Sequence, residues 1–543
     1  MMVVGAVPFY RMPIAIVLLT CAATFVVSRI FGFPVVGVDD ANIFFAYARN
    51  IAAGHGFVFN VGGERVEGFT SLLWTLICAL VASVTSHPEP VLLGLNIVLV
   101  SVTAMCCVRS MSRLWACVFL ILLFCDARFV AWNTITLMDT ALWCSLIAAS
   151  AALVLDERLG DRQAGWAMAC LTALAILARP EALLWMPVVL LLFYVRRRSA
   201  RVVAPAGGAY VVAAGLLTIF RVAYFGFPLP NTFYAKVSPS VGFNLNEGAR
   251  YLSSYVLSGA IPLLCVVAIG LSAAHLCYVR FRDTPTLAIT VLAAAGLLMP
   301  VAIGGDHFGG FRFYQTVYPI FILSLTNCLS RVLPDYVSVP QASRVRHAVA
   351  LLGTALLAAA FVMLQILDWT SVEERTSLSV EFAIAEAGRE LGDRANHVFA
   401  NLPNLPSIGA ITVGGLQYAY DGAVVDLMGL NNLTMAHNGG KRIGLKSHAA
   451  FEKSTFYELK PMMLMPLVQS SSTLPDAEKR SNFADYALKG LLNDPQFQES
   501  YRLAQVTRHI PPKTVSVAGW FRKDFLANLR QSGWFVLTEA GTY

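Results

Sequence analysis

The chain has 543 residues, of which 57% are hydrophobic and 13% charged, whereas about a quarter of an ordinary soluble protein is charged. This excludes a soluble globular protein. With several apolar runs near or above the roughly 20 residues that cross a bilayer as a helix, it defines a polytopic α-helical membrane protein. The net charge of +7 is spread over short connecting loops rather than one face, so it reads as membrane topology and not as a nucleic-acid surface.

Taken from the N-terminus, the first apolar run, Met12 to Val36, is longer than a signal-peptide core and has no small-x-small cleavage pattern before Asp39, so a retained first span is expected. Arginine-bearing loops (109–113, 156–162, 196–201, 280–283 and 331–347) are placed in the cytoplasm by the positive-inside rule. The spans between them then fall near 12–34, 89–108, 114–130, 140–155, 164–178, 182–195, 202–224, 260–279, 285–303, 314–330 and 347–368, about eleven in all. The run 71–84 is read as an interfacial or re-entrant helix, because a full crossing there would put Arg109 and Arg113 outside. All eleven cysteines precede residue 330 and lie mostly in apolar runs, where they act as small hydrophobes; no spacing suggests zinc or a disulfide framework.

With this topology the unusual loops share the outer face of the membrane. The first carries Asp39-Asp40, a short amphipathic helix to Asn50, and two glycine-punctuated turns with His55, Arg65 and Glu67. The second, 225–259, is expected to be a long loop in which Pro228 and Pro230 stop helix continuation and present Asn231, Tyr234 and Lys236. The third is Gly304-Gly305-Asp306-His307 with Arg312. After about Thr370 the composition turns polar and spanning runs end, which divides the chain into a membrane region, 1–369, and an extracytoplasmic α/β domain, 370–543. Strands are expected at 397–400, 410–413, 423–427 and 534–537, and helices at 381–391 and 483–492.

Carboxylates among arginine, lysine and histidine suit an inverting glycosyl transfer from a lipid phosphate. One carboxylate takes the acceptor's proton, and cations hold the phosphate as charge develops on it. Asp39 is the expected base, with Asp40 positioning it or capping the helix. Arg49, Arg65, Lys236 and Arg312 are the expected phosphate ligands. His55, Glu67, Asn231, Tyr234, Asp306, His307, Asp426 and His448 are candidates for sugar or acceptor contacts. Plainer readings stand beside these: an aspartate N-cap, Arg49 paired with a nearby acid, a snorkelling Lys236, a Glu67–Arg65 pair, His55 and Asp306 as turn residues, and solvated loops at Asp426 and His448.

Asp39-Asp40-Ala41, Tyr47-Ala48-Arg49-Asn50, Gly54-His55-Gly56, Gly63-Glu64-Arg65-Val66-Glu67-Gly68-Phe69-Thr70, Pro230-Asn231-Thr232-Phe233-Tyr234-Ala235-Lys236 and Gly304-Gly305-Asp306 together resemble the GT-C membrane glycosyltransferases of the AftB type, terminal arabinofuranosyltransferases of actinobacterial cell walls. In the C-terminal region the resemblance rests on Val425-Asp426-Leu427-Met428-Gly429-Leu430 and Gly444-Leu445-Lys446-Ser447-His448. The chain departs from the pattern at Met138-Asp139, where relatives tend to carry a Glu. The resemblance implies a GT-C-like fold and transfer of a sugar, arabinofuranose first, from a polyprenyl-phosphate donor. The acceptor is an envelope glycan, glycolipid or protein at the outer face, and an aspartate of the first loop is the base. No metal or other cofactor is expected. The readings of another class are a transporter or flippase of a lipid-linked sugar, for which Arg179-Pro180-Glu181 is the best sign, and a non-catalytic envelope-assembly scaffold.

Overall fold

The computed structural model describes residues 11–109, 111–332, 372–468, 473–474, 477, 482–510, 513–532 and 536–539. The span expected at 347–368, most of the loop 331–347, and Trp534 and Phe535 lie outside these residues. Five described helices are long and apolar enough to cross a membrane: Met12–Phe31, Pro88–Val108, Ala200–Phe225, Ala260–Tyr278 and Thr284–Ala302. Each coincides with an expected span. The span expected at 114–130 is instead two pieces, Arg113–Phe124 and Ala127–Ile135, bent by 77°. Asp126 causes the break, since its carboxylate accepts the N–H groups of Arg128 (2.8 Å) and Phe129 (3.3 Å) and so starts a new helix. Thr140–Leu155 and Ala182–Arg197 are helices of 16 residues each.

The loop expected at 225–259 is largely helical, with Asn231–Lys236 and Val241–Leu257. The preceding helix ends at Phe225, and Pro230, the residue just before Asn231, starts the next one, where a missing N–H costs nothing. The run 71–84 contains an 11-residue helix, Leu72–Ala82, whose Ser71 hydroxyl accepts the Trp74 N–H at 3.2 Å.

The chain separates into two compact units. One comprises Met1–Phe33, Leu92–Leu216 and Asn244–Ser379; the other Pro34–Val91, Leu217–Phe243 and Val380–Tyr543. The first is the helical body. At one end of its Thr140–Leu155 helix, buried Asp139 pairs with Arg179 (2.9 Å), which also holds Glu181 (2.7 Å). At the other end Asp156 pairs with Arg109 (3.1 Å), and Glu157 with Arg196 (2.5 Å). Tyr251 and Tyr255 stack on Tyr314 with ring centres 5.1 and 4.2 Å apart, which fixes the Val241–Leu257 helix on Arg312–Val332.

The second unit is built on a six-stranded sheet in the order β2-β1-β3-β5-β4-β6, with β1 Ile408–Ala410, β2 Val424–Asp426, β3 Met463–Met465, β4 Tyr501–Ile510, β5 Lys513–Arg522 and β6 Val536–Glu539. β1 runs parallel to β2 and β3, and the remaining pairs are antiparallel. Expected strands 410–413 and 423–427 overlap β1 and β2. The segment 397–400 is not a strand: it ends the 28-residue helix Val372–Phe399, whose apolar face continues through Leu391, Ala395 and Val398 at helical spacing. A core of Phe456, Phe497, Tyr501, Leu464, Leu488 and Leu491 packs on the sheet. The outer edge of β2 meets Asn60, whose side-chain amide donates to the Val424 carbonyl (3.0 Å) and accepts its N–H (2.8 Å), imitating one more strand residue. That pairing carries the first loop onto the sheet.

Candidate active site

The Asp39–Ala52 helix is sunk within the second unit: Ala41, Phe44, Phe45, Tyr47 and Ala48 are buried, as are Asp39 and Asn42. The parallel β1–β2 connection supplies the partner. Its short helix Gly414–Ala419 has no cap from its own residue Val413. Asp39 supplies one from far away in sequence, accepting the Gly415 N–H at 2.9 Å on one oxygen and the Gly414 N–H at 3.1 Å on the other. The approach is so close that a Cβ at Gly414 would lie 1.8 Å from the Asp39 backbone oxygen. Gly414→Ala is therefore expected to destabilise this unit by about 1–3 kcal/mol, as overpacking does. An unchanged unfolding midpoint in that variant would count against the close approach.

Burial raises the Asp39 carboxyl from 3.8 to about 6, with the two glycine N–H groups pulling it back and the charges of Asp40 and Asp426 adding to the rise. The folded protein thus holds a proton on Asp39 at a pH where the unfolded chain has released it. The resulting stabilisation is complete below about 3.8 and is lost as pH rises through about 6. Asp39→Asn is expected to flatten this part of the stability profile between those values. It should also lower stability near neutrality, because its NH2 group faces an N–H donor. A melting-temperature profile across that window, for both proteins, decides it.

Asp40 is the adjacent and different case. Its side chain is 21% exposed and pairs with Lys236 at 3.5 Å. Of the two acids, Asp39 caps a helix N-terminus and Asp40 is the partly exposed one. Lys236 reaches this place because Asn231–Lys236 is anchored on the loop after β2. The Asn231 amide donates to the Gly429 (2.8 Å) and Leu430 (3.0 Å) carbonyls, and its oxygen meets His437 Nε2 at 3.2 Å. Asp426, at the end of β2, accepts the Met428 N–H (2.9 Å) and both the N–H and side-chain amide of Asn431 (2.8 and 2.9 Å). Burial pushes its carboxyl up, these donors and the Lys236 charge opposing.

Glu67 and Arg221 form the other buried charge pair. Arg221 Nε lies 2.8 Å from one Glu67 oxygen and 3.1 Å from the other, and its NH2 donates at 2.9 Å. Glu67 is thus not paired with Arg65. Its backbone carbonyl accepts the Asn231 N–H at 3.0 Å, so the ion pair and the Lys236 segment are joined directly. Burial pushes the Glu67 carboxyl up and Arg221 pulls it down. One residue on, Gly68 lies against Tyr47 and Asn431: the Tyr47 hydroxyl accepts its N–H at 3.1 Å, and a Cβ there would meet Asn431 Oδ1 at 1.8 Å.

The remaining candidates fall in different surroundings. Arg49, expected as a phosphate ligand, donates to the Tyr418 (2.8 Å) and Gln417 (3.3 Å) carbonyls, fastening the Gly414–Ala419 helix. Arg65 is exposed and lies over the Tyr224 ring at 4.7 Å. His55 is exposed in its turn. Tyr234 packs on His437, ring centres 4.5 Å apart, and its carbonyl accepts from Arg442. His448 Nδ1 sits 3.0 Å from the Lys446 carbonyl oxygen, with its ring edge-on to Phe483. Asp306, His307 and Arg312 belong to the helical unit, where Arg312 Nε donates to Asp306 at 2.7 Å and His307 Nδ1 lies 3.4 Å from the same carboxylate. Among the described residues no group of three or more His, Cys, Asp or Glu side chains is placed to hold a metal ion.

Arg221, Arg389 and Tyr47 were not singled out from sequence. A lone arginine in an apolar helix demands a partner, so Arg221 was open to detection. Arg389, which bonds Asn42 (2.7 Å), Glu89 (2.6 Å) and the Val36 carbonyl (3.2 Å), sits on a polar helix with no such signal.

No family model matches the chain. It is 27% identical over 325 residues to the terminal beta-(1->2)-arabinofuranosyltransferase of Corynebacterium glutamicum, the alignment covering 52% of this chain and 47% of that enzyme. It is 28% identical over 259 residues to the enzyme of the same name from Mycobacterium tuberculosis, covering 43% and 40%. The matched stretches thus span less than half the length of these curated relatives. Among solved structures it is similar to ArnT from Cupriavidus metallidurans in the apo state, with 13% identity, a TM-score of 0.49, and 92% and 97% of the two chains covered. It is also similar to the Archaeoglobus fulgidus oligosaccharyltransferase in the apo form, with 12% identity, a TM-score of 0.49, and coverage of 94% and 74%. The resemblance drawn from the motifs is borne out in sequence: this membrane protein is similar to enzymes named terminal arabinofuranosyltransferases.

Proposed function

We propose that the chain is a GT-C-like inverting glycosyltransferase that moves a sugar, arabinofuranose first, from a polyprenyl-phosphate donor to an envelope glycan, glycolipid or protein. The transfer takes place at the outer face of a bacterial inner membrane, and the C-terminal segment serves the acceptor side. The observation that carries this is the partly exposed Asp40–Lys236 pair at 3.5 Å, set next to Asp39 in a chain whose sequence is similar to arabinofuranosyltransferases. Asp40 takes the proton from the acceptor hydroxyl, whose oxygen forms the new bond to the anomeric carbon. The bond from that carbon to the phosphate oxygen breaks, and the electron pair leaves on the lipid phosphate. Lys236 neutralises that charge and exposed Arg65 offers a bidentate grip on the phosphate. Burial holds Asp39 and Asp426 in place behind them.

The test is the purified full-length protein with polyprenyl-phosphoryl arabinofuranose and an arabinan acceptor, followed by analysis of the anomeric configuration of the product. A new linkage of inverted configuration is expected. Movement of the lipid-linked sugar across vesicles with no transfer to any acceptor would replace this reading with a flippase.

A further inference from the structure

The helical unit contains a cavity of about 710 Å³, within the range of sites that hold a drug-sized ligand. Cys106, Trp115, Ala148, Ala152, Ile289 and Leu323 give it apolar walls, and Arg158 and Arg196 stand among its polar lining. It lies toward the Leu155 end of the 16-residue Thr140–Leu155 helix, about 24 Å in length, away from the Asp139–Arg179 pair at the start. The side chains it faces are unequal. Arg196 is spent on Thr284 (2.7 Å) and Glu157 (2.5 Å), and Asp156 on Arg109 (3.1 Å). Arg158 is exposed, and among the described residues only its backbone N–H is committed, to Asp156 at 2.6 Å. Asp156 and Glu157 in the lining are thus each matched by an arginine, and Arg197 nearby is held by Asp161 (3.2 Å) and the Asp156 carbonyl (2.7 Å), which leaves Arg158 as the cation open to a ligand beside the apolar walls.

We propose that this cavity is a binding site for an anionic phospholipid, its phosphate at Arg158 and one acyl chain among Trp115, Ala148, Ala152 and Leu323. The apolar walls suit an acyl chain, and the unit is made of spans whose solvent is lipid. An arginine open to a ligand at the rim of an apolar pocket between helices has the chemistry that selects anionic headgroups. Each methylene buried in such a cavity adds to the affinity. The cavity shares no residue with the Asp40–Lys236 region, so the proposal does not depend on the function assigned above.

Native mass spectrometry of the detergent-purified full chain tests it, with dioleoyl phosphatidylglycerol, dioleoyl phosphatidylcholine and undecaprenyl phosphate added in turn. Phosphatidylglycerol is expected to be retained in preference to phosphatidylcholine. Arg158→Gln, at an exposed position that leaves the fold alone, should weaken its retention about fivefold. Ala152→Phe, which fills the cavity, should weaken it about tenfold or more, and an unchanged melting profile in that variant identifies the cavity rather than misfolding as the cause. Equal retention of both phospholipids, or retention unaffected by both variants, overturns the proposal. Undecaprenyl phosphate held more tightly than phosphatidylglycerol overturns it too and makes the cavity a site for the lipid phosphate.

Discussion

Glu67→Gln, with Arg221 left in place, is expected to destabilise the protein by about 3–5 kcal/mol, the cost of leaving a buried charge without its partner. Glu67 and Arg221 are 3% and 4% exposed, so neither is rescued by water. The fork geometry, with two guanidinium nitrogens within 3.1 Å of the carboxylate, is one a neutral amide cannot satisfy, since its NH2 would face an N–H donor. Replacing both residues together, Glu67→Gln with Arg221→Met, should cost clearly less than the sum of the single changes, because no uncompensated charge remains. Denaturant melts of the four proteins in one detergent give the coupling energy. A single-variant loss below about 0.5 kcal/mol, the range of ordinary surface changes, would show that the pair is not holding the loop. The damage should also reach Lys236, because the Glu67 carbonyl accepts the Asn231 N–H that begins the Lys236 helix.

The membrane helices were legible because their signal is length and hydrophobicity, which need no partner to be read. Where the helical unit departs from that reading, a single polar residue is responsible: Asp126 breaks one apolar run into two pieces, and nothing in hydropathy marks a cap inside a span. The segment 225–259 reads as a loop because its prolines terminate helices, although Pro230 at a boundary also initiates one. In the C-terminal segment the short parallel strands β1 and β2 announced themselves through apolar runs. The antiparallel pair β4 and β5 did not, because Arg502, Gln505, Arg508, Lys513 and Ser516 interrupt the pattern of a sheet with one solvated face.

Composition of the candidate site was more legible than its roles. The double aspartate, Glu67, Asn231, Lys236 and Asp426 were all named from sequence, and the structure places them within one unit. What sequence could not assign was which group each faces. Two adjacent residues at a helix start point about 100° apart, so one is turned inward and the other outward, and only the fold decides which. Here the decision comes from Gly414-Gly415, a pair 375 residues downstream that has no local reason to contact an aspartate.

Asp40→Asn is accordingly expected to lower the transfer rate by about 10²–10⁴-fold, the range for loss of a general base, while leaving the melting profile close to that of the natural protein. The argument rests on reach. A base must come within hydrogen-bonding distance of the acceptor hydroxyl, and Asp40 is 21% exposed, whereas both oxygens of Asp39 already accept N–H groups from the Gly414–Ala419 helix. The two variants should therefore separate: Asp40→Asn loses turnover and keeps stability, while Asp39→Asn loses stability and its pH dependence first. Lys236→Met sharpens the test, because removing the counter-charge should weaken donor binding and slow departure of the phosphate without altering the fold of the Asp39–Ala52 helix. Turnover measured at saturating donor, alongside the donor concentration for half-maximal rate, distinguishes these contributions. If Asp40→Asn turns over normally while a correctly folded Asp39→Asn is inactive, the buried carboxylate with its raised pKa is the base after all, and the acceptor hydroxyl must reach it past the two glycine N–H groups.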